Sequence, residues 1–261
     1  MINESGAAVD QGSSSKALGR ASSELVTFYR ESGYVRLGNL FTSPEIDAMR
    51  SRAEAMIDAL PPGEKISEKD VLHLRDPWFF RFLQDPRVLD VVESFIGPDI
   101  ALWSSHLLAQ LPGDATSMPW HVDGGYLSKL LKPMKLINLG VRLHDSTLDT
   151  GCLVVAPGTQ VKTPAMAAAA TEMLHDIALD AFDPASAVSM EASAGECHLH
   201  DPWVIHSSGP NTSPSRCCSF IMRFIPTDVV YAPPGARRDP IYLMRGRDRS
   251  EGKNLYAPVP S

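Results

Sequence analysis

Three residues have the types and spacing to do chemistry: His121 and Asp123 in the stretch PWHVDGGY (119–126), and His206 in HDPWVIHSS, about 85 residues downstream. In an extended segment the side chains at i and i+2 project to the same side, so His121 and Asp123 can grip one ion. Alone, such a pair also reads as solvated turn residues. A second imidazole gives it weight. Two imidazoles and one carboxylate on one face of a metal leave about three positions open, which is what a non-haem Fe(II) oxygenase needs for dioxygen and a bidentate co-substrate.

Arg216 follows His206 after a polar turn, at the start of the next strand-like run. Its guanidinium can meet a carboxylate in fork-to-fork geometry, chemistry suited to the far carboxylate of 2-oxoglutarate. Arg223 is the rival. It lies an odd seven positions away, so on an extended strand it faces the other way, and Arg216 is the expected partner. His106 and Gln110 share one face of SSHLLAQ, where they either line the cavity or sit in the core. Asn138 is either a donor to the co-substrate or a structural amide. Tyr126 and Trp203 flank the ligands in sequence and either shape a substrate pocket or pack. His144, His175, His198 and His200 read as structural or surface residues.

The elements that must position these groups change along the chain. Residues 1–21 are rich in Ser, Gly and Ala and read as a flexible tail ahead of one domain spanning 22–261. Leu25, Phe28 and Tyr29 have helical spacing and lead through Gly33 into a short strand, YVRL. A second helix follows, with Thr42 or Ser43 as its cap, Pro44 in its first turn and Glu45 near its N-terminus. A third, PRVLDVVESFIG, ends at Gly97. After Asp99 the runs IALWSSHLLAQL, KLINLGVRLHD, GCLVVAPGTQ, GECHLHDPWVIHSS and RCCSFIMRFIP are β-prone and separated by turn residues. The prediction is a mainly β jelly roll or barrel with N-terminal helices packed on it. An Ala-rich helical insertion is expected over 163–180. That insertion and the segment RRDPIYLMRGRDRSEGKNLY are the candidate covers of the site.

Four stretches in order, FYRESGYVRLGNLFTSPEIDAMR, WHVDGGY, DTGCLVVAPGTQ and HSSGPNTSPSR, give the sequence a family likeness. It resembles the phytanoyl-CoA dioxygenase family of Fe(II)/2-oxoglutarate-dependent oxygenases from about Leu25 to Val229. The resemblance implies a double-stranded β-helix in which His121, Asp123 and His206 bind Fe(II) and Arg216 binds 2-oxoglutarate. One departure is PGTQ, where many relatives have PGSH. At the carboxylate position related halogenases carry Ala or Gly, so Asp123 favours hydroxylation or another oxidation over halogenation. The implied reaction couples decarboxylation of 2-oxoglutarate by dioxygen to oxidation of an unactivated C–H bond in a small molecule, with a specialised-metabolite intermediate as the expected substrate.

The 261 residues carry a formal charge of −7, which argues against a nucleic-acid binder. No apolar run is long enough to span a membrane and no secretory leader is evident, so a cytoplasmic protein is expected. The four cysteines, Cys152, Cys197, Cys217 and Cys218, resemble neither a disulfide framework nor a zinc ribbon. Two other classes remain open: a cupin-like isomerase or hydrolase using zinc or manganese on the same triad, and a silent binding protein that keeps the fold. Arg216 weighs against the first, since such chemistry has no evident need of a carboxylate clamp.

Overall fold

A computed structural model describes residues 19–66, 71–161, 163, 182–235 and 239–260. Most of the expected tail and nearly all of the Ala-rich insertion, with His175, lie outside these residues. Arg20 and Ala21 belong to the body rather than to the tail. Arg20 pairs with Glu93, and the Ala21 N–H donates to Ser94 Oγ at 3.0 Å.

The first third is helical, as its spacing predicts: α1 (Ser23–Ser32), then β1 (Tyr34–Asn39), α2 (Ser43–Asp58), two short turns α3 (Leu72–Arg75) and α4 (Phe80–Leu83), and α5 (Pro86–Ile96). Thr42 caps α2. The Glu45 carboxylate accepts from the Thr42 backbone N–H at 2.7 Å and from its hydroxyl at 2.8 Å, satisfying a donor that the helix start leaves without a partner.

The strands follow as β2 (Ile100–Gln110), β3 (Met118–His121), a short helix α6 (Asp123–Leu127), β4 (Leu131–Lys132), β5 (Ile137–Arg142), β6 (Leu153–Ala156), β7 (Val188–Ser189), β8 (Glu196–His200), β9 (Ile205–Ser208), β10 (Cys217–Pro226), β11 (Val230–Tyr231), β12 (Ile241–Arg245) and β13 (Tyr256–Ala257). They form a major sheet in the order β1-β8-β5-β10-β2-β12-β13, a minor sheet β3-β9-β6-β7, and a β4–β11 pair. This is the expected double-stranded β-helix. The C-terminal segment proposed as a cover instead extends the major sheet, β12 pairing antiparallel with β2.

Alternation decides what each face of the major sheet does. Leu139 and Val141 of β5, Leu199 of β8 and Phe220, Met222 and Phe224 of β10 point outward into one apolar core with Met49 and Ala53 of α2 and Val88, Val91 and Val92 of α5. The intervening residues therefore face the space between the two sheets, and many are polar: Asn138 and Arg142, His198 and His200, Ser219 and Arg223. Among the described residues no helix is long and apolar enough to cross a membrane.

Candidate metal centre

Strand β3 ends at His121, Val122 is still extended (φ −128°, ψ 133°), and Asp123 opens α6. The single extended residue between them turns both flanking side chains to one side. His206, near the start of β9, pairs across the minor sheet with His121, and the two rings lie 4.1 Å apart. One ligand atom from each of His121, Asp123 and His206 lies within 4.8 Å of the others. Both imidazoles are fixed from behind. His121 Nδ1 donates to Pro119 O at 2.8 Å and His206 Nδ1 to Val204 O at 2.9 Å, which leaves each Nε2 lone pair for the centre. Burial lowers the His206 pKa to about 4, so this imidazole is neutral and able to ligate near pH 7.

The two oxygens of Asp123 have different work. Oδ1 faces His121 Nε2 at 3.8 Å. Oδ2 is held on the other side by Asn138 Nδ2 at 3.3 Å, with Arg223 Nη2 at 3.6 Å and His200 Nε2 at 3.9 Å. Arg223 Nε in turn donates to Asn138 Oδ1 at 3.0 Å. Burial would raise the carboxyl pKa. The Arg223 guanidinium, with the imidazoles of His206, His200 and His121, overrides it and holds Asp123 well below the usual carboxylate range. Two imidazole nitrogens and one ionised oxygen on one side of a centre are the donor set of a non-haem Fe(II) site.

The sequence profile of the phytanoyl-CoA dioxygenase (PhyH) family matches residues 29–218. The chain belongs to the phytanoyl-CoA dioxygenase family. It is 29% identical to the peroxisomal phytanoyl-CoA dioxygenase of Mus musculus over 214 residues, 70% of this chain and 62% of that protein, so it spans less than two thirds of the length of that relative. It is 22% identical to the L-proline trans-4-hydroxylase of Streptomyces griseoviridis over 83% of this chain and 90% of that enzyme. Among solved structures, the nickel complex of the non-haem monooxygenase ThoJ superposes with a TM-score of 0.71 at 26% identity, covering 90% of this chain and 89% of that one.

In this member of the phytanoyl-CoA dioxygenase family the remaining expected site residues divide. Asn138 reaches the centre, through Asp123. His106 faces it from β2, opposite Ile221 on β10, and lies in the field of Arg223 and Asp123; burial keeps its pKa well below the ordinary value. Trp203 covers Gly124, where an added Cβ would lie 2.5 Å from the indole, and Gly124 N–H donates to Pro202 O at 2.7 Å. The indole thus clamps the start of α6, and this is why a glycine follows the ligand aspartate. Tyr126 packs beside Leu127, Leu131 and Trp103.

Two expectations are corrected. Gln110 does not point to a cofactor: its Nε2 donates to Gly209 O at 2.8 Å and Thr116 O at 3.3 Å, tying two loops together. Arg216 does not reach the centre either. It precedes β10 in the outward phase of Cys218, is 36% exposed, and pairs with Asp58 at the end of α2 at 2.7 Å. Arg223, set aside because it faces away from Arg216, does face away from it, and thereby faces the metal centre. His200, read as structural, stands 3.9 Å from Asp123. The signal for both was present in the sequence as an alternating polar phase, Ser219 with Arg223 and His198 with His200, on strands whose other phase is wholly apolar.

Proposed function

We propose that this protein is an Fe(II)- and 2-oxoglutarate-dependent oxygenase that hydroxylates an unactivated C–H bond of a small-molecule substrate. The observation that carries the reading is the convergence of His121, Asp123 and His206 within 4.8 Å, with both imidazoles fixed by backbone carbonyls. Family membership and the L-proline trans-4-hydroxylase relative support it. Fe(II) bound there supplies redox chemistry with dioxygen: 2-oxoglutarate loses carbon dioxide to become succinate, taking one oxygen atom, and the substrate C–H takes the other as hydroxyl.

The chain's own residues prepare that chemistry. His121 and His206, each held through Nδ1 by a backbone carbonyl, turn Nε2 toward the centre. Arg223 and Asn138 hold Asp123 ionised and fix Oδ2, so that Oδ1 is turned toward the metal position. Trp203 on Gly124 keeps α6, and with it Asp123, in place. His106, buried and facing the centre from β2, is assigned to its substrate side, while Tyr126 packs in the apolar cluster behind α6.

The experiment is anaerobic titration with Fe(II) and then 2-oxoglutarate, followed through the weak visible charge-transfer absorption that keto-acid chelation produces. The wild type should develop the band, and Asp123→Ala should lose it along with turnover while keeping a cooperative melt. Metal binding without the band would move the reading to a cupin-like isomerase or hydrolase. Normal turnover by Asp123→Ala would sink the metal assignment.

A further inference from the structure

A cavity of about 570 Å³ lies apart from the metal ligands, where α1 and α5 meet the end of the major sheet. Asp99 and Leu136, just ahead of β2 and β5, and Pro226, the last residue of β10, line it beside the turn Asp201–Trp203 that follows β8. None of His121, Asp123 and His206 does. Alternation explains the separation. His200 ends β8 facing the metal centre, so Asp201, the next residue, turns to the opposite side. There its backbone N–H donates to Gly33 O at 2.8 Å and its carboxylate accepts from the Tyr29 hydroxyl of α1. The volume is that of a site for a small organic molecule.

The charges on the wall do not balance. Three carboxylates line the cavity, those of Asp99, Asp201 and Asp228, against two cations, Lys135 and Arg249. Asp99 Oδ2 accepts from Arg249 Nε at 2.6 Å, and Asp228 Oδ2 from Lys135 Nζ at 2.7 Å. Asp201 has no such partner. Among the described residues it accepts from neutral donors, the Trp203 backbone N–H at 2.8 Å and the Tyr29 hydroxyl. Burial raises its pKa to about 6, so at pH 7 it is still mostly ionised, and its charge stands uncompensated.

The rest of the wall indicates which cation fits. Tyr29, Phe95 and Trp203 bring three aromatic rings to the cavity, the first two edge to face at 5.1 Å. A hard metal ion needs several free oxygens, and two of the three carboxylates are already engaged. An ammonium group on an organic frame gains from one carboxylate and from aromatic rings together. We propose that this cavity binds an organic ammonium ion, with Asp201 as its counter-charge and Tyr29, Phe95 and Trp203 around it. The proposal does not rest on the oxygenase reading.

The test is calorimetric titration of the whole chain with three probes: choline, ethanolamine, and 3,3-dimethylbutan-1-ol, which has the shape of choline without the charge. Wild type should bind at least one of the two cations saturably and on the order of tenfold more tightly than the alcohol. Choline as the tighter cation assigns the site to alkylated ammonium groups, ethanolamine to primary ones. Asp201→Asn keeps an oxygen for the Trp203 N–H and removes the charge, so it should erase the preference while binding of the alcohol is unchanged. The preference should be equal in metal-free and Fe(II)-loaded protein. Wild type that binds neither cation more tightly than the alcohol overturns the assignment. So does a preference retained in Asp201→Asn, or one that requires Fe(II), which would put the cation at the triad. Should Asp201→Asn fail to fold, Phe95→Leu carries the test: a severalfold loss for the cation alone is expected, and no loss, or an equal loss for the alcohol, overturns it.

Discussion

The two faces of β10 are built from the same ten residues and do opposite work. Outward, Cys218, Phe220, Met222 and Phe224 join the apolar core under α2 and α5. Inward, Ser219 meets Arg142 and Arg223 meets Asn138 beside the metal ligands. The outward face is complete without any ligand. The inward face holds buried nitrogens of Arg142, His198 and His200 that have no hydrogen-bond partner among the described residues, a cost in stability that a bound ligand relieves. The difference teaches where substitutions should cost folding and where they should cost function.

The largest effect expected is on pH dependence of the metal-free protein, and four of the five histidines behind it lie on inward positions. Burial holds His106, His198 and His200 well below the ordinary value of 6.5 and His206 at about 4; His73, on the helix side with Nδ1 2.7 Å from Ser105 Oγ, is also at about 4. A depressed histidine binds its proton in the unfolded chain first, so stability is full above 6.5 and falls as pH drops toward 4. Each site contributes up to about 1.4 kcal/mol per pH unit over that window. Asp201 opposes, since burial raises it to about 6 and the folded state then takes up its proton first. With five sites against one, urea melts between pH 7 and 5 should show stability falling by several kcal/mol. A flat profile would mean that these rings are solvated, and the contrast between the faces would collapse.

Next in size is the outward face itself. Phe220 is fully buried, its ring 5.1 Å from that of Phe79. Phe220→Ala should cost about 3–5 kcal/mol of unfolding free energy. Below its melting range the variant should still bind metal with wild-type affinity, because the lost contacts are on the other side of the sheet. A collapse of metal affinity without loss of stability would reverse the assignment of the faces. Asn138→Ala sharpens it from within. Removing the amide frees Asp123 Oδ2 and Arg223 Nε together, and metal affinity should fall by about 10- to 100-fold, as for other residues that orient a ligand, which equilibrium dialysis or calorimetry would measure.

The His121–Asp123 pair is legible in the sequence because its spacing is local, whereas His206 meets it only by pairing across the minor sheet; the helices are legible too, because their caps and apolar periods are local. The choice among arginines was not. Alternation says correctly that Arg216 and Arg223 face opposite ways, but it cannot say which way is in. That is set by pairing across the sheet, Arg223 opposite Asn138, and by Asn138 reaching Asp123, contacts between residues 15 and 85 positions apart. Arg142 escaped notice for the same reason: KLINLGVRLHD shows an alternating strand, and only the three-dimensional surroundings show that Nε and Nη2 of its last interior residue have no hydrogen-bond partner among the described residues. Gln110 had the right face and the wrong end of it, where loop carbonyls consume its amide.

The smallest effect should come from the residue the sequence favoured. Arg216 pairs with Asp58, and the two side chains are 36% and 58% exposed. Solvent-exposed ion pairs of this kind contribute less than about 1 kcal/mol. Arg216→Met should therefore leave the melting curve within that margin, and kcat and KM for 2-oxoglutarate near wild type, while added salt should mask what difference there is. The variant is informative because it isolates strand phase from everything else. Both arginines lie on one continuous run of chain and carry the same charge, and they differ only in whether their position is odd or even. If Arg216→Met raised KM for 2-oxoglutarate many-fold, the chain leading into β10 would have to be turned by one residue. Cys217 would then pass to the outer face, and the division between a structural and a functional face of that strand would fail at its first residue.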